Sequence, residues 1–166
     1  NMILVTHGII GGAVGRLFPA NPLLAFFVGL ISHFVFDAIP HWHYPMGAID
    51  PKANFSKTVF TVKKRLILDA FIIALDFFMG VWLAMLIFDK NDYSNYSVFA
   101  GAVGGLFPDA IMLLSWIWRT KIVMLFQKFH QFIHTNIYLD ERHVFGPLSQ
   151  LAIIAAVVFI SKLILK

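Results

Sequence analysis

Long apolar stretches separated by short polar ones run through the whole chain, and their lengths predict helices. Five of these stretches are long enough to cross a bilayer, which requires roughly 20 apolar residues. We therefore predict an all-α fold, with residues 1–166 forming a single membrane domain of about five transmembrane helices. The predicted spans cover residues 2–18, 22–39, 66–88, 98–118 and 148–165.

Proline, asparagine and glycine residues mark the predicted helix boundaries. Asn21 followed by Pro22 is typical of an N-cap and a first helical position. The second span then follows the first after a very short turn, as its antiparallel neighbour. In the fourth span, Gly104, Gly105 and Pro108 predict a kink or a broken helix.

Two glycine-rich segments resemble each other. Residues 12–20 read GAVGRLFPA, and residues 101–109 read GAVGGLFPD. Gly8, Gly11, Gly12 and Gly15 have the spacing that lets another helix approach closely. If the two segments are copies of one packing unit, the copies run in opposite directions through the membrane.

Residues 121–134 alternate basic and apolar side chains at helical spacing, which predicts an amphipathic helix lying on the membrane surface. His130 and His134 lie one turn apart on its polar side, a spacing that suits two ligands of one metal ion. Gln127 and Lys128 share that side, so we favour a solvated face and keep the two histidines as secondary candidates.

The composition is that of an integral membrane protein. The chain is 59% hydrophobic and only 13% charged, with a mean hydropathy of +0.78, whereas soluble domains carry about 25% charged residues. The formal net charge is +4. Its basic residues flank apolar spans, which favours lipid headgroups over nucleic acid as the partner. Lys63, Lys64 and Arg65 are the candidates for binding a substrate headgroup.

Residues 33–43 hold the densest candidate chemistry in the chain. His33 and Asp37 are four residues apart on one helical face, and His41 and His43 follow after a proline. The hairpin formed by the first two spans brings His7 to the same membrane face. Because the chain has no cysteine, a metal here must use imidazole, carboxylate or backbone oxygen, which suits zinc, iron or manganese.

Three membrane-embedded aspartates extend this candidate site. Asp69 and Asp76 are seven residues apart in the third span and share a face. Asp69 either joins the site or pairs with Arg65, while Asp76 fits a supporting acid better than a direct ligand. Asp109 either joins the site or caps a helix after Pro108.

The element His33-x-x-x-Asp37-x-x-Pro40-His41 resembles the HxxxD signature, followed by Pro and His, of zinc-dependent phospholipase C-like proteins. Together with Thr6-His7, the glycine-rich helix and residues 105–109, it resembles small bacterial membrane-bound metal-dependent hydrolases. The resemblance implies hydrolysis of a phosphoester or a similar bond. From helical spacing and hairpin topology we predict one or two divalent ions, zinc best, with the ligands His7, His33, Asp37, His41 and Asp69, and we predict Asp69 and Asp109 as catalytic residues.

Our leading hypothesis is a hydrolase of a lipid or lipid-linked phosphoester near the cytoplasmic face of a bacterial membrane. By the positive-inside rule, the basic loops put the histidine face in the cytoplasm. A transporter or channel for metal ions or protons is the first alternative, since Asp69, Asp76, a broken fourth helix and an inverted repeat would suit it. A structural membrane protein with an inert metal is the second.

Overall fold

A computed structural model of the chain describes residues 3–42, 63–88, 94–117, 120–135 and 144–164. These residues form six α-helices, so the all-α prediction is confirmed. The helices are α1 (Leu4–Gly15), α2 (Pro22–Asp37), α3 (Lys63–Phe88), α4 (Ser94–Ile117), α5 (Lys121–Ile133) and α6 (Phe145–Ile164).

Three of the helices in the described part of the chain are long and apolar enough to cross a membrane, through Ile67–Phe88, Asn95–Leu113 and Phe145–Ile164. This is consistent with a membrane protein, and it is fewer than the five spans predicted. The first two helices have 12 and 16 residues, fewer than the roughly 20 of a full crossing. The apolar run of the first predicted span continues beyond Gly15, but there it forms turns.

The predicted start of α2 is confirmed. Asn21 is its N-cap and accepts a hydrogen bond from the Leu24 amide at 3.0 Å, with Pro22 in the first turn. Of the kink or break predicted at Pro108, the break is absent, because α4 continues through that residue. Proline has no amide hydrogen, so one carbonyl of the preceding turn loses its usual donor. Helices packed among other helices tolerate this loss.

Glycines bring α1, α2 and α4 into backbone contact. A Cβ atom added to Gly15 would lie 2.9 Å from the Gly101 Cα atom, and one added to Gly105 would lie 3.3 Å from the Gly11 Cα atom. A Cβ atom on Gly29 of α2 would lie 3.0 Å from the same Gly101 Cα atom. The two similar segments therefore pack against each other, and they run in opposite directions as predicted.

The remaining helices surround this glycine-packed centre. One side of α1 packs against α3, since a Cβ atom on Gly8 would lie 2.9 Å from the Gly80 Cα atom. The Ser161 hydroxyl of α6 donates to the Ala13 carbonyl of α1 at 3.5 Å. An apolar core lies beyond the first turn of α1, towards the other end of that helix. It consists of Ile9, Ala13, Ala84, Phe88, Val98 and Ala102.

Candidate metal centre

The carboxylate of Asp37, at the last residue of α2, is surrounded by imidazoles. Its side chain is fully buried, and five histidines place their Nε2 atoms within 3.9 Å of one of its oxygens. Oδ1 faces His7 at 3.0 Å and His41 at 3.9 Å, while Oδ2 faces His33 at 3.2 Å, His130 at 2.8 Å and His134 at 3.9 Å.

Backbone carbonyls orient three of these rings. The Nδ1 atoms of His33, His41 and His134 lie 2.8, 2.7 and 2.9 Å from the carbonyl oxygens of Gly105, Ile39 and Thr135. A carbonyl oxygen can only accept, so each Nδ1 carries the hydrogen and donates it. In a neutral ring the lone pair is then on Nε2, facing Asp37. Histidines that ligate metals are oriented in this way by their other ring nitrogen.

Three ligand atoms form a nearly regular triangle. The Nε2 atoms of His33 and His130 lie 3.2 Å apart, and Asp37 Oδ2 lies 3.2 and 2.8 Å from them. Ligands about 2.1 Å from a tetrahedral zinc ion would be about 3.4 Å apart. The triangle therefore has nearly the size of one face of a zinc site, and this buried cluster could hold a metal ion.

Two further groups of three residues have ligand atoms within 4.8 Å of one another: His7, His33 and Asp109, and Asp37, His41 and His134. Asp109 is 2% exposed, and neither of its carboxylate oxygens has a hydrogen-bond partner among the described residues. The same holds for the Nδ1 atoms of His7 and His130. Buried polar atoms without partners are costly, and a bound cation would satisfy the carboxylate. The donor set therefore fits a divalent ion.

Side chains from α3 and α6 hold the first turn of α1 beside this cluster. The Asp76 carboxylate accepts hydrogen bonds from the amides of Leu4 at 2.7 Å and Val5 at 3.2 Å. A carboxylate at a helix N-terminus satisfies free amides and the helix dipole together. Asp76 thus has the supporting position predicted for it, because His7 follows in the next turn.

Gln150 of α6 makes a second link to the cluster. Its Oε1 atom accepts from the Thr6 hydroxyl at 3.2 Å and the Ile3 amide at 3.3 Å. Its Nε2 atom donates to the Trp42 carbonyl at 2.7 Å. One buried amide therefore joins the residue before His7 to the residue after His41. Sequence reasoning missed Gln150, although a glutamine within an apolar helix is a usable signal.

The other predicted site residues lie in different places. Asp69 is 5% exposed but belongs to none of the three groups. Asp109 lies inside α4, so the alternative of a helix cap is wrong. His43 and the side chains of Lys63, Lys64 and Arg65 lie outside the described residues.

The helix α5 differs most from its prediction. Its bounds agree with the sequence, but the side containing Gln127 and His130 is buried, with exposures of 3% and 2%. The expectation of a solvated face is wrong for these two residues, because His130 packs against Asp37, whereas Lys128 and Gln131 are exposed. Burial also lowers the pKa of His134 below its ordinary value, which favours the neutral imidazole that binds metals.

No protein-family model, no curated protein and no solved structure matches the chain.

Proposed function

We propose that this protein is a membrane-embedded, metal-dependent hydrolase of a lipid or lipid-linked phosphoester. The observation that carries the proposal is the set of five imidazole Nε2 atoms around one buried carboxylate. The resemblance of residues 33–41 to zinc-dependent phospholipase C-like proteins supports hydrolysis. The apolar outer surfaces of the helices support a substrate that comes from the membrane.

The proposed ligands divide over the two oxygens of Asp37. His33 and His130 face Oδ2, while His7 and His41 face Oδ1. A carboxylate used from both sides suits one ion or a pair of ions. Imidazole and carboxylate ligands suit zinc best among the common divalent ions. Zinc in such a site activates water near neutral pH and polarises the bond to be cleaved.

Asp109 is the proposed proton acceptor. Its carboxylate lies beside His7 and His33 and has no hydrogen-bond partner in the described part of the chain. It can therefore take a proton from the attacking water and pass it to the leaving oxygen, as general acid–base catalysis requires. Asp69 is less well placed for this role because it belongs to none of the ligand groups.

The cellular setting extends the proposal. We infer a bacterial cytoplasmic membrane with the start of α3 at the cytoplasmic face, following the positive-inside rule. Lys63, Lys64 and Arg65 begin that helix and would bind the phosphate headgroups of neighbouring lipids.

A structural role for an inert metal is the second candidate, and the burial of the cluster favours it. His33, Asp37 and His41 are 0% exposed, and structural zinc sites are closed whereas catalytic ones keep a position for water. Transport has less support. The Asp76 carboxylate is bound to the first turn of α1, and the core beyond the cluster is apolar.

The first experiment is elemental analysis of the purified full chain beside His33→Ala, Asp37→Ala and the control Gln131→Ala. We expect stoichiometric metal in the wild type and the control, and its loss from the two cluster variants. The proposal fails if the wild type holds no stoichiometric metal or if the variants retain it.

The second experiment separates catalysis from structure. We expect the protein to hydrolyse phospholipids in vesicles, and a chelator to stop the reaction. In the cobalt-substituted protein, added azide should shift the visible spectrum, because a catalytic site has an open position. Bound metal with no hydrolysis and no azide shift would support the structural role instead.

A further inference from the structure

The apolar side of α5 faces away from the protein. Four residues on one side of this helix are strongly exposed, and the polar residues Gln127 and His130 on the opposite side are buried. The exposed residues are Ile122 at 82%, Leu125 at 70%, Phe129 at 50% and Phe132 at 87%. Lys121, Lys128 and Gln131 are exposed as well, so the outward surface of α5 is amphipathic, and its apolar part requires apolar surroundings.

The depth of the cluster in the bundle agrees with this environment. Asp76, whose carboxylate binds the first turn of α1, lies 13 residues after the start of α3 at Lys63 and 12 before its end at Phe88. The apolar span begins at Ile67, so at 1.5 Å per residue Asp76 lies about 14 Å into it, near the middle of a hydrocarbon layer about 30 Å thick. The first turn of α1, next to His7, therefore lies level with the middle of this span.

Phenylalanines close the edge between α2 and α5 beside the cluster. The Phe34 ring lies 5.2 Å from that of Phe129 and 6.2 Å from that of Phe126, centroid to centroid. The same ring lies 5.5 Å from His33 and 5.8 Å from His130. Phe34 thus contacts the imidazoles on one side and the outward-facing rings of α5 on the other.

The outer surface at this edge is continuous and apolar. On α2, Ile31 and Val35 are 58% and 56% exposed and flank Phe34. Phe129 of α5 is 50% exposed on the other side. Polar contacts join the two helices near the C-terminal end of α5, where the Thr135 amide donates to the Asp37 carbonyl at 3.0 Å. At the phenylalanines the two helices meet through aromatic rings, which make no hydrogen bonds.

We propose that this edge, formed by Phe34, Phe126 and Phe129, is a lateral entrance through which a membrane lipid reaches the histidine cluster, with its acyl chain against the phenylalanine rings. Apolar rings can contact an acyl chain without losing any hydrogen bond, and side chains change rotamer far faster than helices move. The inference deepens the proposed function and rests on it in one respect: the lipid is a substrate only if the protein is a hydrolase. Contact between lipid chain and entrance does not require hydrolysis.

The test uses the full chain in vesicles of phosphatidylethanolamine and phosphatidylglycerol, with a small fraction of phosphatidylcholine carrying a diazirine on its acyl chain. After irradiation, mass spectrometry locates the adducts. We expect adducts at Phe132 on the outer side of α5 and also at the half-buried Phe34 or Phe126. Adducts at Phe132 without any at Phe34 and Phe126 would overturn the proposal.

A pair of variants makes the test specific. Phe34→Trp enlarges the ring at the entrance, and Phe27→Trp makes the same change at a residue of α2 that is 51% exposed. We expect the first to remove most of the adduct at Phe126 and the second to leave it unchanged. Equal labelling in both variants would contradict an entrance at Phe34.

A chelator separates this inference from the proposed function. We expect chelation to leave the adducts at Phe34 or Phe126 in place, because phenylalanines and not ligands form the entrance. If hydrolysis is absent and these adducts are present, the proposed function fails and the entrance stands. If hydrolysis occurs and the adducts are absent, the entrance fails and the substrate must reach the cluster by another route.

Discussion

The Nε2 atom of His33 lies 3.2 Å from the Nε2 atom of His130. The Nδ1 atom of His33 donates to the Gly105 carbonyl, so in a neutral ring Nε2 carries a lone pair. That lone pair faces both a second imidazole nitrogen and, at 3.2 Å, a carboxylate oxygen of Asp37. The lone pair of His33 and the oxygen of Asp37 repel each other at this distance unless a proton or a metal ion lies between them. A metal ion would satisfy these two atoms and the Nε2 atom of His130 together.

Replacing His130 tests whether α5 contributes to the metal site. We expect His130→Ala to weaken zinc binding by about 10-fold or more, the loss seen even for residues that only support a ligand. Gln131→Ala, an exposed neighbour on the same helix, should bind zinc normally. Competition with a chromophoric chelator measures both affinities. Equal affinities would exclude His130 from the site.

Replacing Asp109 should separate activity from stability. We expect Asp109→Asn to slow hydrolysis by about 100-fold or more, because it removes the proton acceptor. In chelator-treated protein, the same change should raise the melting temperature, since an amide costs less to bury than a charge without a partner. A variant that retains full activity would refute the role of Asp109. A lower melting temperature would show that its charge is satisfied without metal.

Helical spacing and hairpin topology predicted the centre of the candidate site. The i,i+4 spacing put His33 and Asp37 on one face, and the short turn before Pro22 returned the second helix beside His7. Each inference needed only local geometry, and the distances of 3.2 and 3.0 Å from Asp37 to the two histidines follow the pattern.

The contribution of α5 was not accessible from local pattern. Gln127, Lys128 and Gln131 around His130 are typical of a face in water, and only tertiary packing buries Gln127 and His130 while Lys128 and Gln131 stay exposed. The signal was on the other side of the helix, where Ile122 and Phe132 are too apolar for a surface in water. The first helix is shorter than predicted for a different reason. Hydropathy continues past Gly15, while the backbone there has already turned.

The glycine contacts of α1 with α4 and with α3 predict that an added methyl group lowers stability by different amounts at the two contacts. A Cβ atom on Gly101 would meet the Gly11 carbonyl oxygen and lie 2.8 Å from the Gly15 Cα atom, all backbone that cannot rotate away. On Gly80 the nearest atom would be the Val5 Cα atom at 3.2 Å. We expect Gly101→Ala to cost about 3 kcal/mol or more and Gly80→Ala about 1 kcal/mol. Thermal unfolding in detergent measures the order, and a reversed order would contradict this packing.

Asp76 should stabilise the protein through α1 and the metal site through His7. We expect Asp76→Asn to lower stability by about 1 kcal/mol, as for the loss of a helix cap, because an amide is a weaker acceptor for the amides of Leu4 and Val5. Zinc affinity should fall as well, since His7 lies in the next turn. Thermal unfolding and chelator competition on one sample measure the two effects.

The control for Asp76 is Asn21, the cap of α2, which accepts from the Leu24 amide at 3.0 Å far along the helix from Asp37. Asn21→Ala should lower stability by a similar amount, about 1 kcal/mol, and leave zinc affinity unchanged. The comparison isolates the path from Asp76 through α1 to the cluster. If both variants bind zinc as tightly as the wild type, α1 does not position His7. If Asp76→Asn instead abolishes metal flux into vesicles while zinc affinity stays normal, Asp76 belongs to a transport path and the hydrolase proposal loses its structural basis.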